Sequence, residues 1–99
     1  MNIQQLRYVV AIANSGTFRE AASKLFVSQP SLSVAIKDLE QELNFKIFTR
    51  TTTGAVLTSQ GMTFYERALE VVRSFDSFEN RYLNASCLLY TSPSPRDTR

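Results

Sequence analysis

Gln29, Pro30, Ser31, Ser33, Val34 and Lys37 crowd into one short stretch of the chain. If that stretch is helical, with Leu32, Ile36 and Leu39 turned inward, these side chains line its outer face. Together they have the chemistry to read nucleic-acid base edges. A glutamine carboxamide pairs bidentately with adenine, a serine hydroxyl donates or accepts, valine or proline touches a thymine methyl, and lysine reaches a guanine or a phosphate. A plainer reading stands beside this one, in which Gln29, Ser31 and Ser33 cap a helix and face water. The surroundings favour base reading, because Arg19, Lys37 and Arg50 flank a nearly uncharged face as phosphate clamps would. Arg19 falls in the first turn of its own helix, whose N-terminus attracts an anion that Thr17 can also serve. Lys24 reads as an ordinary solvated charge.

The elements that must position these residues are marked by caps and periodicity. Asn2 with Gln5 suits a helix start, and Leu6, Val9, Val10 and Ala13 recur at helical spacing until Asn14-Ser15-Gly16. Thr17-Phe18-Arg19-Glu20 has capping-box form and opens a short second helix, in which Ala21 and Ala22 let a neighbour approach closely. Phe26 and Val27 carry a turn. Ser28 then caps a third helix, with Pro30 in its first turn, a stripe of Leu32, Ile36, Leu39 and Leu43, and Asn44 as a left-handed stop. Phe45–Arg50 and Ala55–Leu57 are β-prone runs joined by Thr51-Thr52-Thr53-Gly54, a small hairpin or wing. Two short helices, a turn and a third helix followed by a hairpin predict a mainly α fold: a winged helix-turn-helix of three helices plus a two-stranded wing.

Thr58 is a further N-cap, and from it a helical pattern runs to about Asn84. Phe64, Ala68, Val71, Phe75, Phe78 and Tyr82 alternate by four and three residues, the a/d repeat of a coiled-coil seam, with Tyr65, Leu69 and Val72 as an adjacent stripe. Aromatic residues at helical spacing are also what a core stripe looks like. Length argues for a partner, since a helix of about 27 residues spans roughly 40 Å, more than so small a domain covers. Glu66, Glu70 and Arg73 read as a solvated face, with Glu70 and Arg73 compensating.

Composition removes competing classes. Ninety-nine residues with 43% hydrophobic content support one small core, and a formal net charge of +2 does not identify a partner. With no histidine and a lone Cys87, metal sites, a disulfide framework and most nucleophile arrangements lack their residues, so neither a cofactor nor an enzyme is expected. The surface carboxylates Asp38, Glu40 and Glu42 are the remaining polar candidates for catalysis. The N-terminus lacks secretory-signal form and no stretch approaches membrane-spanning length, so a cytoplasmic protein is expected.

The strings Phe18-Arg19-Glu20-Ala21-Ala22, Val27-Ser28-Gln29-Pro30-Ser31-Leu32-Ser33, Ile36-Lys37-Asp38-Leu39-Glu40, Ile47-Phe48-Thr49-Arg50 and Val56-Leu57-Thr58-Ser59-Gln60-Gly61 resemble the LysR-type transcriptional regulators over residues 1 to about 86. The resemblance implies a helix-turn-helix near 18–37 bound to double-stranded promoter DNA, a dimerising linker helix, and control by a small-molecule effector through a C-terminal domain not encoded here. Many members carry a basic residue where this chain has Val34, and another in the wing near Thr53. Wing contacts are thereby left to Arg50, Thr52 and Thr53, and Arg50 has a second possible role in bracing the wing. The full expected contact set is Thr17, Phe18, Arg19, Gln29, Pro30, Ser31, Ser33, Val34, Lys37, Arg50, Thr52 and Thr53. The runner-up is a helical protein-interaction module in which the helix-turn-helix is only scaffold.

The expected organisation is a DNA-binding domain over 1–58, a linker helix over 59–86 and an unstructured tail over 87–99. From Cys87 the texture changes, with Pro93 and Pro95 and no helical period. Cys87–Asp97 resembles a translated transposase sequencing adapter, which predicts that the tail is foreign to the domain and the chain a fragment of a longer regulator.

Overall fold

The computed structural model describes residues 1–84, so the expectations for Cys87 and the 87–99 tail lie outside the described residues. Three helices come first, α1 (Ile3–Ser15), α2 (Phe18–Leu25) and α3 (Gln29–Leu43). A hairpin of β1 (Phe48–Arg50) and β2 (Ala55–Leu57) follows, and then α4 (Ser59–Glu79), which runs into a π-helical turn over Asn80–Asn84.

Each helix boundary has a local cause. Asn2 Oδ1 accepts from Gln5 N at 2.8 Å while the Gln5 side chain accepts from Asn2 N, a reciprocal box that satisfies two otherwise orphaned donors. Thr17, Ser28 and Thr58 each accept from the backbone N–H three residues on, opening α2, α3 and α4. The expected box at α2 is only half formed, because Glu20 turns instead to Lys24, 3.7 Å away. Gly16 (φ 88°) and Asn44 (φ 65°) end α1 and α3 in left-handed geometry. Phe26 ends α2 in the same geometry, at φ 59°, with its ring 94% exposed.

The hairpin is antiparallel, with Phe48 opposite Leu57, Thr49 opposite Val56 and Arg50 opposite Ala55. Its first strand is shorter than the β-prone run, because Phe45 leaves the ladder to pack edge-on against Phe64 of α4, centroids 6.3 Å apart. Two contacts lock the wing to the body. Ala55 N donates to the Gly16 carbonyl at 2.8 Å, and the Glu40 carboxylate of α3 accepts from Ile47 N at 2.7 Å and Phe48 N at 3.2 Å. Glu40 is thus structural, and its charge-assisted bonds satisfy backbone donors at the base of β1.

The main core is built from Val9, Ile12, Phe18, Ala21, Ala22, Leu32, Ile36, Leu39, Ile47 and Phe48. The small Ala21 and Ala22 allow α2 to sit close on its neighbours, as the sequence suggests. A second cluster of Leu6, Ala68 and Val72, bordered by Ile3, Val10 and Phe64, welds α4 onto α1.

This second cluster divides the expected coiled-coil seam. Ala68 is 3% exposed against α1, and Phe64 is half-buried between the two clusters, so neither is free for a partner chain. Phe75 is half-buried with the Arg7 guanidinium 5.5 Å over its ring, while Arg7 donates to Asp76 at 2.7 Å. That bond outweighs partial desolvation and holds the Arg7 pKa above its ordinary value. Val71, Phe78 and Tyr82 remain exposed, joined by Leu83. The heptad spacing is real, but α1 captures its upper half because α4 starts against the wing and must cross α1 before it clears the body. Glu70 pairs with Arg67 at 3.5 Å, in place of the expected Arg73.

Candidate nucleic-acid interface

Helix α3 presents one face to the core and one outward, and the outward face begins at its N-terminus. Gln29, Pro30, Ser31, Val34 and Lys37 are all exposed there, Val34 at 58%. Pro30 and Val34 stand one helical turn apart and form an apolar ridge, with Gln29 beside it. Ser31 is partly engaged, since Ser28 Oγ donates to its hydroxyl oxygen at 2.8 Å. Gln5 of α1 donates to the Ala35 carbonyl at 3.2 Å, tying the outer edge of α3 to the body.

The N-terminus of α2, the start of α3 and the wing tip converge on a shallow cleft of about 220 Å³ lined by Thr17, Arg19, Gln29, Arg50, Thr52 and Thr53 among others. Two guanidinium-bearing residues and the free N–H groups of a helix start face the same space. That combination suits a phosphate oxygen. Thr52 and Thr53 are exposed at the wing tip, where Thr51 Oγ1 lies 3.3 Å from Thr53 Oγ1 and donates to the Gly54 carbonyl at 2.9 Å.

Phe18 is the buried member of the expected contact set. Its ring is 5% exposed, packed edge-on against Phe48 at 5.8 Å and roofed by the Arg50 guanidinium at 3.7 Å. A ring so enclosed offers little surface to a ligand, and Phe18 borders the cleft mainly as the support beneath Arg50. An aromatic residue just after an N-cap gave no sequence signal to separate the two roles.

Arg50 does more than flank the site. It stacks on Phe18 and donates from Nη2 to Ser33 Oγ at 2.9 Å, so the wing, α2 and α3 meet through one side chain. The stack contributes about 0.5–2 kcal/mol, depending on how far the guanidinium is desolvated. Of the two roles its sequence allows, phosphate contact and wing bracing, Arg50 is placed for the second, as a brace that reaches α3 itself. Its partner lies 17 residues away, a pairing that no local pattern encodes. Of the three catalytic candidates, Glu40 holds backbone and Glu42 receives the Met1 ammonium at 2.7 Å. Among the described residues, no His/Cys/Asp/Glu group could hold a metal ion.

A helix-turn-helix with its outer face dressed for base edges and a wing beside it defines a class of DNA-binding domain. The chain belongs to the lysR family of bacterial regulatory helix-turn-helix proteins, whose family model matches residues 3–62. It is 43% identical over 77 residues to the HTH-type transcriptional regulator BudR of Klebsiella aerogenes, covering 78% of this chain and 54% of that protein. The fold matches the CbnR DNA-binding domain crystallised with DNA, with a TM-score of 0.78 and 31% identity, over 87% of this chain and 99% of that one. The BenM DNA-binding domain, crystallised with benA site 1 DNA, matches with a TM-score of 0.77 and 33% identity, over 82% and 94% of the two chains. The chain spans about half the length of BudR and 20% of the length of another curated relative, a probable RuBisCO transcriptional regulator of Guillardia theta.

Proposed function

We propose that this chain is the DNA-binding part of a transcription regulator, which sets two recognition helices on an inverted-repeat operator as a dimer. One observation carries the reading: the exposed N-terminal face of α3 is uncharged from Gln29 to Val34, and Gln29 at its start shares a shallow cleft with Arg19, Arg50, the α2 N-terminus and the wing tip, while Lys37 is exposed farther along the same helix. In this arrangement Gln29, Pro30, Ser33 and Val34 meet base edges in the major groove, while Thr17, Arg19, Ser31, Lys37, Thr52 and Thr53 hold phosphates. Occupancy then activates or blocks transcription by position.

Residues 1–58 act as the reading head and 59–86 as the linker that pairs two copies. The exposed Val71, Phe78 and Tyr82 supply the surface for that pairing, and Leu83 extends it. A small-molecule effector would act on this reading head through a separate sensor domain. Binding promoter DNA would place the protein in the cytoplasm, in a regulatory rather than a catalytic role. No helix among the described residues is long and apolar enough to cross a membrane.

Fluorescence anisotropy with the full chain tests this. The expected result is tighter binding to promoter DNA flanking its own gene than to random duplex, with affinity falling steeply as salt rises. Gln29→Ala is expected to weaken the specific complex by about 1–3 kcal/mol and the random one far less. Indifference to DNA at low salt would instead favour a protein-interaction module.

A further inference from the structure

The Arg50–Ser33 bond has a consequence for which bases α3 can accept. A serine hydroxyl has one proton to donate and two lone pairs. In this chain one lone pair is taken by the Arg50 guanidinium at 2.9 Å, and that guanidinium is itself fixed by its 3.7 Å stack on the Phe18 ring. Phe18 is in turn fixed by the core and by Phe48. The bond is therefore held from below, and Ser33 sits on the recognition helix next to the exposed Val34, one turn after Pro30.

A charged donor on the oxygen polarises the hydroxyl, making its proton a better donor and its remaining lone pair a poorer acceptor. A base amino group approaching that lone pair would also point a second positive hydrogen at the guanidinium. Resting on the DNA-reading function proposed above, we infer that Arg50 is a positioning residue for specificity, holding Ser33 as a hydrogen-bond donor that reads an acceptor on a base edge. In the major groove guanine offers N7 and O6, adenine N7 and thymine O4, whereas cytosine offers only its N4 amino donor. Cytosine is the base that Ser33 excludes. Arg50 thus acts on sequence choice without itself touching a base.

The test is binding selection on a randomised duplex library with the full chain, followed by affinities for the selected duplex with each base at each position. For the wild type, cytosine is expected to be disfavoured on the order of tenfold at one position of the half-site. Ser33→Ala and Arg50→Lys should each abolish that exclusion at the same position, and the double variant should lose no more than either. Arg50→Lys keeps the charge, so its salt dependence should match the wild type. Phe18→Leu, which removes the stacking ring and retains an apolar core side chain, should relax the same position, and thermal melts confirm that each variant is folded.

Retained cytosine exclusion in Arg50→Lys overturns the inference. So does a uniform loss over all sequences in Arg50→Lys with every base preference intact, which would make Arg50 a phosphate clamp that needs the planar guanidinium fork. If Ser33→Ala changes no position, Ser33 reads no base and the inference fails while DNA binding stands. A wild type that selects no sequence overturns the DNA-reading function and the inference with it.

Discussion

Replacing Gly61 with alanine sets two known effects against each other, and the structure decides which wins. Gly61 lies buried in the first turn of α4, its N–H donating to Thr58 Oγ1 at 2.9 Å. A methyl on its Cα would stand 2.8 Å from the Ile47 carbonyl carbon, 3.0 Å from the Ile47 Cα, and closer still to the Ile47 carbonyl oxygen. Ordinary carbon contacts are about 3.5–4.0 Å, so α4 and the base of β1 must part by about 1 Å. The obstacle is backbone, and it cannot swing aside. Ile47 is fully buried, and its carbonyl also accepts from Thr58 N at 2.9 Å, a bond worth about 1 kcal/mol that the separation strains. Helix propensity favours alanine by at most about 1 kcal/mol. Overpacking costs about 1–3 kcal/mol, and with the strained bond the net is a destabilisation of about 1–3 kcal/mol. For a domain of this size that lowers Tm by roughly 4–24 °C, read by circular dichroism on the full chain. Gly16→Ala is the control for mechanism, because nothing lies within 4 Å of a Cβ there and its loss comes only from a left-handed φ of 88°, about 1–2 kcal/mol. A Gly61→Ala variant that melts at or above the wild type would show that α4 is not seated on Ile47 as described.

Other perturbations separate the remaining roles. Val34→Arg places a cation on the 58%-exposed outer face of α3 and is expected to raise affinity for random duplex, steepening the log K against log salt slope by about 0.9; an unchanged affinity and slope would place this face of α3 away from DNA. Val71→Asp with Phe78→Asp should yield monomers by sedimentation that keep the helical circular dichroism spectrum and lose the concentration dependence of Tm, since both side chains are exposed in the single chain, and a persisting dimer would move the pairing surface elsewhere. Glu40→Gln leaves a weaker, neutral acceptor for Ile47 N and Phe48 N, and should lower stability by about 1–3 kcal/mol in denaturant titration; a neutral outcome would mean that water replaces the carboxylate.

What was legible in the sequence was the chemistry that acts within a few residues. Asn2, Thr17, Ser28 and Thr58 cap helices because a short oxygen-bearing side chain reaches the N–H three residues on, whatever the rest of the fold does. Gly16 and Asn44 end helices for an equally local reason. Phe26 escapes that logic, since an aromatic residue is not where left-handed geometry is looked for. The exposed face of α3 followed from knowing which stripe was buried. The Arg50 stack and its bond to Ser33, and the capture of Phe64 and Ala68 by α1, depend on where distant elements come to rest. A heptad pattern states that a helix has an apolar stripe; it does not state which neighbour arrives first.

The same long-range contacts would let the pairing surface proposed on α4 dictate how α3 is placed on DNA. The first turn of α4 is seated on Ile47 through Thr58 and Gly61, and Ile47 is held to α3 by Glu40. The wing is tied to the α1–α2 turn through Gly16 and Ala55, and to α3 through Arg50 and Ser33. Farther along, Arg7 and Asp76 latch α4 to α1. No flexible joint separates the residues at 71 and 78, proposed to pair two copies, from those at 29–34, proposed to read DNA, because each link is a buried contact or a bond between elements of one core. Two chains joined along α4 would therefore fix the distance and angle between their recognition helices, and an operator with the wrong half-site spacing would have to bend or be refused.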